Sequence, residues 1–129
     1  MPLELTPTEM LAKLVSFDTT SRLGNIPLIE WIEQYLDGWG VPHFRVDYEQ
    51  GLKTNLFATI GPDVAGGIVL SGHTDVVPVD GQPWTSNPFD LMAKGDKLYG
   101  RGTCDMKGFI ATALALVPQF KAANLKLPI

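Results

Sequence analysis

Apolar and polar residues alternate with a helical period twice in the first forty or so positions. The segment Thr6–Glu9 has the form of a capping box with proline at the first helical position, so it predicts a helix that begins here and ends near Ser16. A second helix is predicted from Asn25 and is ended by Gly38 and Gly40. The positions expected on the buried helix faces are Met10, Leu11, Leu14 and Val15, then Leu28, Ile29, Ile32, Leu36 and Trp39.

Several later segments have the apolar character of β-strands. Residues 44–48 and 56–60 alternate or run apolar in the manner of strands. Residues 68–71 form a short apolar run after two glycines, which predicts a buried strand. Residues 89–93 and 97–99 flank a Lys-Gly-Asp turn and predict a hairpin.

The C-terminal part of the chain adds one helix and the beginning of one strand. A well-buried helix is predicted to begin near Met106 and to end near Pro118, and residues 125–129 resemble the start of a core strand. Helices and strands in this order predict the α/β class, with layers of helix, sheet and helix. A strand at residues 125–129 would leave an open sheet edge, which is an aggregation hazard. We therefore expect residues 1–129 to be a fragment interrupted at a core strand, unless something pairs with that edge.

Composition and charge exclude several classes of protein. With 129 residues, of which 45% are hydrophobic and 19% charged, the chain is expected to form one folded domain. A net charge of −4 gives no electrostatic reason to bind nucleic acid or anionic lipid. The sequence contains no run of apolar residues long enough for a membrane span, and its N-terminus does not resemble a signal peptide. The single cysteine excludes an internal disulfide and fits the cytoplasm, where we expect the protein.

Candidate chemistry begins with the sequence Ser-Gly-His-Thr-Asp at residues 71–75. His73 and Asp75 follow the predicted buried strand, and ligands in α/β proteins gather at the C-terminal ends of strands. Residues two apart on an extended segment point to the same side, so Asp75 can reach the neighbourhood of His73. A carboxylate that accepts the second N–H of a histidine orients it as a metal ligand. The alternative is a hydrogen-bonded histidine at a strand end, with Asp75 as a cap.

A second candidate ligand, Asp105, lies in the glycine-rich segment 100–108. Its two oxygens could bridge two metal ions about 3.5–4 Å apart. Gly100 and Gly102 would allow the backbone to bring this carboxylate close to His73. Imidazole and carboxylate together suit zinc, so the two motifs read as half of a metal site. From the residues alone the alternative is favoured, namely that Asp105 is the N-cap of the following helix.

Two neighbours of Asp105 have reactive side chains. A nucleophilic Cys104 would need a histidine partner, and His43, the only other histidine, lies in an early strand with no reason to approach it. Cys104 is therefore expected to be a small buried residue. Lys107 could offset the charge of Asp105, but a solvated lysine at the start of a helix is expected.

These motifs closely resemble a known family. Residues 71–78 (SGHTDVVP), 84–89 (WTSNPF) and 98–108 (LYGRGTCDMKG) are similar to the dinuclear zinc amidohydrolases of the M20 metallopeptidase family, and the likeness extends over essentially the whole chain. Within the family, the loop at residues 79–83 and the Thr-Cys pair before Asp105 resemble the members that deacetylate N-acetyl-L-ornithine in arginine biosynthesis.

The resemblance implies a role for each matched residue. His73 would be a ligand of one metal ion, and Asp105 would bridge both ions. Asp75 would be the catalytic-site acid that orients His73. The implied cofactor is two Zn²⁺ ions per full-length subunit, with Co²⁺ as a possible substitute. The peptide bond between Asp105 and Met106 would be cis, which would overrule the role of Asp105 as a helix cap.

The resemblance also implies parts that follow Ile129. These are a general base from a Glu-Glu pair, a further acidic ligand, a histidine ligand and a smaller dimerisation domain. The full-length protein would then be a homodimer that acts on a small acylated amino acid, without nucleic acid or membrane partners. Residues 1–129 alone are expected to be inactive.

Two other functions remain open at this stage. One is a sibling hydrolase of the same family, acting on succinyl-diaminopimelate, another acyl amino acid or a peptide. The other is a non-catalytic module that binds a metal or a partner through its unfinished sheet. Such a module would be stable and soluble as 129 residues, and its fold would survive both chelation and His73→Ala.

Overall fold

Helices and two small antiparallel strand pairs make up the regular structure, which confirms the predicted α/β class. The computed structural model describes all residues, 1–129. The helices are α1 (Pro7–Val15), α2 (Ile26–Gly38), α3 (Gly108–Ala115) and α4 (Val117–Ala122), and the strands are β1 (His43–Tyr48), β2 (Lys53–Ala58), β3 (Met92–Lys94) and β4 (Lys97–Tyr99). A 3₁₀ turn at Glu49–Gly51 and a π-helical turn at Thr103–Lys107 complete the regular elements. None of the helices has the length and apolar character required to cross a membrane.

The first helix begins as the sequence predicts. The Thr6 hydroxyl accepts a hydrogen bond from the Glu9 N–H at 3.3 Å, and the Glu9 carboxylate accepts one from the Thr6 N–H at 2.8 Å. This reciprocal pair is a complete capping box. The buried faces of α1 and α2 then pack together with α3 into one core. Its members are Met10, Leu11, Leu14, Val15, Leu28, Ile29, Ile32, Tyr35, Leu36, Val41, Ile60, Ala111, Ala115 and Val117.

The predicted hairpin around the Lys-Gly-Asp turn is present, and the two earlier strands, whose pairing was not predicted, also form an antiparallel pair. Strand β1 pairs with β2 from His43 opposite Ala58 to Tyr48 opposite Lys53, so β2 begins earlier than the apolar pattern suggests. The hydrogen-bond ladder, rather than the apolar run, sets that boundary. Strands β3 and β4 pair through a two-residue turn, with Lys94 opposite Lys97.

The predicted buried strand at residues 68–71 does not form. Ile68 is 66% exposed and Val69 is 71% exposed. The Ile68 N–H donates to the Pro128 carbonyl at 3.1 Å, but no regular ladder flanks this segment. An apolar run becomes a buried strand only when neighbours pair with its edges and cover its faces. Here a groove of about 660 Å³ separates the segment from β2.

Residues 125–129 also do not form the predicted strand. Ile129 and Ile60 nevertheless exchange two backbone hydrogen bonds, at 2.8 and 2.9 Å, which places the end of the segment against the chain that follows β2. One such pair is too short to count as a strand. The groove continues from this point, and α2 and α3 contribute apolar side chains to its lining.

The predicted helix from Met106 to Pro118 is divided into three parts. The π-helical turn occupies its beginning, α3 ends at Ala115, and Pro118 lies in the first turn of α4. Proline is accepted there because the first turn of a helix has no use for its missing N–H.

Candidate metal site

The loop that carries His73 is held by the connection between α1 and α2. The Val76 N–H donates to the Thr19 carbonyl at 3.1 Å, and the Ser21 N–H donates to the Val76 carbonyl at 2.9 Å. The Thr19 hydroxyl also donates to the Thr74 carbonyl at 2.5 Å. The backbone on both sides of Asp75 is thereby fixed to one short segment of chain.

Asn25 contributes to the same loop from inside the fold, a role that the sequence analysis missed. Its side chain exchanges two hydrogen bonds of 3.0 Å with the backbone of Thr54 in β2. Its amide group also lies 3.3 Å from the Thr74 hydroxyl. Asn25 precedes α2 but makes no side-chain cap to it. Asparagine before a helix usually signals a cap, so the sequence alone did not distinguish the two roles.

The turn that carries Asp105 depends on close backbone packing. Gly102 has φ of +83°, in the left-handed region, and a Cβ there would lie 2.6 Å from Val76 Cγ1. At Gly108 a Cβ would lie 2.4 Å from the Thr103 carbonyl oxygen, which accepts the Gly108 N–H and closes the π-helical turn. The turn therefore requires a residue without a side chain at each end. The repeated glycines of segment 100–108 indicated this turn in the sequence. The requirement for glycine at position 108 was not predicted.

The helix-cap alternative for Asp105 is wrong. Asp105 lies inside the π-helical turn with φ −123° and ψ 90°, and Lys107 rather than Asp105 precedes α3. The peptide bond between Asp105 and Met106 is cis, as the resemblance implies. The Asp105 carboxylate makes no capping bond to α3 and is directed to His73.

The structure brings the three candidate residues together around the imidazole of His73. Nε2 lies 2.9 Å from Asp105 Oδ1. On the other side of the ring, Nδ1 lies 3.0 Å from the Asp75 carbonyl and 3.1 Å from Asp75 Oδ1. The three side chains are open to solvent, with 48% of His73 and 84% of Asp105 exposed. They line a pocket of about 210 Å³ together with Arg101 and Cys104.

The groups around the imidazole shift the pKa of His73. Partial burial of the ring acts to lower the pKa of His73, but the hydrogen bonds to the Asp75 carbonyl and the Asp105 carboxylate outweigh it. The pKa is therefore raised above its ordinary value. A metal ion requires the unprotonated nitrogen, so binding at Nε2 would release a proton.

Lys107 is buried, and its prediction as a solvated lysine is wrong. Its side chain has no exposed surface, and Nζ donates to the carbonyls of Leu14 at 2.9 Å and Phe17 at 2.8 Å. Burial lowers the pKa of Lys107 to about 8, although the nearby Asp18 carboxylate acts in the opposite direction. The cation stabilises the end of α1, where the helix dipole is negative. The helix-start position alone could not reveal a partner about ninety residues away.

Cys104 is exposed, so its prediction as a buried residue is wrong. No histidine is positioned to activate its thiol as a nucleophile, however. His43 is held elsewhere, with Nδ1 3.0 Å from the Val41 carbonyl and Nε2 3.8 Å from Glu33 Oε1. His73 lines the same pocket as Cys104, but both its ring nitrogens face the carboxyl-bearing residues Asp75 and Asp105.

Comparison with known proteins identifies the architecture around this pocket. The model of peptidase family M20/M25/M40 matches residues 69–129, which include all three candidate residues. Acetylornithine deacetylase of Pasteurella multocida (strain Pm70) is 37% identical over 128 residues, covering 94% of this chain and 33% of the relative. The enzyme of the same name from Proteus mirabilis (strain HI4320) is 41% identical over 114 residues, covering 87% of this chain and 29% of the relative. The chain belongs to the M20 peptidase family.

A solved structure supports the same assignment. Human carnosine dipeptidase 1 superimposes with a TM-score of 0.66 at 26% identity, covering 90% of this chain and 28% of that chain. The chain thus has an M20-type fold and is related to hydrolases. It spans about a third of the length of the curated relatives that it matches.

The donor groups fit part of a metal site. M20 peptidases are generally metal-dependent, and an imidazole nitrogen beside a carboxylate oxygen is a ligand pair that suits zinc. Nowhere in the chain do three or more His, Cys, Asp or Glu side chains cluster as a complete metal site. His73 and Asp105 can therefore supply two of the four ligands of a tetrahedral ion.

Proposed function

We propose that this chain is part of a metal-dependent amide hydrolase that converts N-acetyl-L-ornithine to L-ornithine and acetate, a step of arginine biosynthesis. The observation that carries the proposal is the arrangement of His73 between Asp75 and Asp105. Support for the substrate comes from the two relatives named acetylornithine deacetylase, at 37% and 41% identity.

Each of the three residues has a distinct task in the proposed site. The Asp75 carboxylate and carbonyl accept the Nδ1–H of His73, which leaves Nε2 as the ligand nitrogen facing Asp105. Asp105 presents two carboxylate oxygens that can contact two ions. Bound Zn²⁺ would supply Lewis acidity, which lowers the pKa of water and polarises the amide carbonyl. The proposal assigns the general base to a residue outside this chain.

The proposal extends to the whole protein. We propose that the chain is the N-terminal part of a longer catalytic domain, and its span of about a third of the relatives supports a longer protein. The full-length protein is proposed to be a cytoplasmic homodimer with two Zn²⁺ ions per subunit, Co²⁺ being an alternative.

A substrate panel on the full-length protein tests the proposed specificity. The compounds are N-acetyl-L-ornithine, N-succinyl-L,L-diaminopimelate, another N-acetyl amino acid and a dipeptide. We expect the highest kcat/KM for N-acetyl-L-ornithine, with activity removed by a chelator and restored by Zn²⁺ or Co²⁺. A higher kcat/KM for one of the other compounds would assign the protein to a sibling activity, and chelator-resistant turnover would reject the metal-dependent reaction.

Replacing Asp75 by asparagine tests its proposed task. The variant keeps the backbone carbonyl that contacts Nδ1 but loses the negative charge 3.1 Å from it. Loss of such a partner lowers metal affinity or activity by roughly 10- to 100-fold. Zn²⁺ titration and kcat/KM of the full-length protein measure the effect. Asp90→Asn, a similar change at an exposed position, is the control and should leave both quantities unchanged. If Asp75→Asn and Asp90→Asn have the same Zn²⁺ affinity and kcat/KM, Asp75 is not part of the site.

The isolated 129-residue chain should not catalyse amide hydrolysis. Two ligands cannot hold a dinuclear centre, and the proposed base is not among its residues. We expect only weak binding of one metal ion, lost in His73→Ala and unchanged in His43→Ala. The measurements are calorimetric Zn²⁺ titration and product release from N-acetyl-L-ornithine. Hydrolysis above background by this chain, and not by His73→Ala, would contradict the prediction.

A further inference from the structure

Lys107 connects the two halves of the candidate site through a third segment of chain. Its Nζ reaches the carbonyls of Leu14 and Phe17, at the end of α1 and just beyond it. The residues that follow are the ones that hold the histidine loop, because Thr19 and Ser21 form the backbone bonds to Val76. Residues 14–21 therefore contact the Asp105 turn and the His73 loop at the same time.

We infer that Lys107 is a positioning residue that sets the distance between the Asp105 carboxylate and His73. This inference rests on the proposed metal site. Asp105 is separated from Lys107 by one residue, and the Lys107 N–H closes the same turn by donating to the Gly102 carbonyl at 2.7 Å. The turn thus cannot move relative to α1 without breaking the Nζ bonds.

The surroundings of Lys107 explain why its side chain can act in this way. Its side chain is fully buried, with its stem against Gly102 and its Nζ bonded to the Leu14 carbonyl, so the stem has little freedom to follow a displaced turn. The Asp105 side chain is mostly exposed and contacts only His73 among the protein's hydrogen-bonding groups. The position of its carboxylate therefore depends on the backbone that carries it, and Lys107 holds that backbone.

Lys107→Met in the full-length protein tests this role, because methionine retains most of the apolar stem and removes the donor. We expect Zn²⁺ affinity at the His73–Asp105 pair to fall by about 10- to 100-fold, the range found when partners that orient a metal ligand are lost. Affinity is expressed per folded molecule, with the folded fraction determined by circular dichroism. A second readout is the NMR resonances of the His73 ring in the metal-free protein, which should shift in the variant because Asp105 contacts Nε2.

Tyr35→Phe is the matched control. It removes another long-range bond to a backbone carbonyl, from the Tyr35 hydroxyl to the Leu114 carbonyl at 3.1 Å, at a place away from the pocket. A loss of stability alone should affect both variants, whereas the His73 resonances and the Zn²⁺ affinity should change only in Lys107→Met. If Lys107→Met does not fold, Lys107→Gln, whose amide NH₂ sits on a stem one atom shorter and replaces the charged ammonium group, is measured in the same way.

The outcomes separate this inference from the function on which it rests. If His73→Ala and Asp105→Ala leave the Zn²⁺ affinity of the protein unchanged, the proposed metal site is wrong. If those variants lose Zn²⁺ but folded Lys107→Met or Lys107→Gln matches Tyr35→Phe in affinity and His73 resonances, Lys107 has only a structural role and the inference is overturned.

Discussion

Asp105→Asn should lower the kcat of the full-length protein for N-acetyl-L-ornithine by about 10³-fold or more, while the free energy of unfolding changes by no more than about 0.5 kcal/mol. The activity estimate follows from the several kcal/mol of charge stabilisation that metal ions provide in such sites. The stability estimate follows from the position of Asp105, whose side chain is 84% exposed. At few other positions should a substitution lower kcat so strongly while changing the free energy of unfolding so little.

The control for this variant is Asp96→Asn, in the exposed turn between β3 and β4. It makes the same chemical change on the same kind of surface, so both activity and stability should remain at the wild-type level. Steady-state kinetics and urea unfolding measure the two quantities. An Asp105→Asn protein that retains more than a tenth of the wild-type kcat would show that this carboxylate is not an essential ligand.

Gly102→Ala should destabilise the protein by roughly 2–5 kcal/mol. The left-handed conformation of this residue costs a side chain about 1–2 kcal/mol, and forcing a methyl group into a packed site costs about 1–3 kcal/mol. The added Cβ would lie 2.6 Å from Val76 Cγ1, and Val76 directly follows Asp75. The substitution should therefore also separate the two halves of the site and reduce the Zn²⁺ affinity of the molecules that remain folded.

Gly95→Ala distinguishes the two contributions to this loss. Gly95 also has a positive φ, of +62°, but no atom lies within 4 Å of the position of its Cβ. It should lose only the conformational part, about 1–2 kcal/mol. A second comparison uses Val76→Ala, which should cost less in the Gly102→Ala protein than in the wild type because it removes the clashing methyl group. Equal losses at Gly102 and Gly95 in urea unfolding would show that the predicted contact with Val76 does not matter.

Local features of the fold could be predicted from the sequence because they depend on residues close in the chain. The capping box at Thr6–Glu9 uses side chains three positions apart, and the periodic apolar faces of α1 and α2 form most of the core. The α/β class and the family followed from such patterns and from the quoted motifs. The proximity of His73 and Asp105 came from the resemblance together with the glycines of segment 100–108.

Features that depend on distant partners could not be predicted. Residues 68–71 have the composition of a buried strand, but strand formation requires neighbouring chains that no local pattern specifies. Lys107 has a sequence position that favours solvent, yet the carbonyls of Leu14 and Phe17 satisfy it inside the fold. Asn25 has a residue type that favours capping, yet it bonds Thr54. In each of these cases a tertiary contact overrides a local preference.

The long reach of Lys107 also bears on how the protein folds. One of its two bonds links residues that are 93 positions apart in the sequence, and the other links residues that are 90 positions apart. Each bond therefore closes a loop that contains most of the chain. Bringing together such distant residues carries an entropic cost that rises with the logarithm of loop length, and folds rich in distant contacts form slowly. The α1 capping box and the β1–β2 hairpin, made from neighbouring residues, can form before α3 docks. We therefore expect the His73–Asp105 pair to reach its final geometry late in folding, once the ends of this long loop have met.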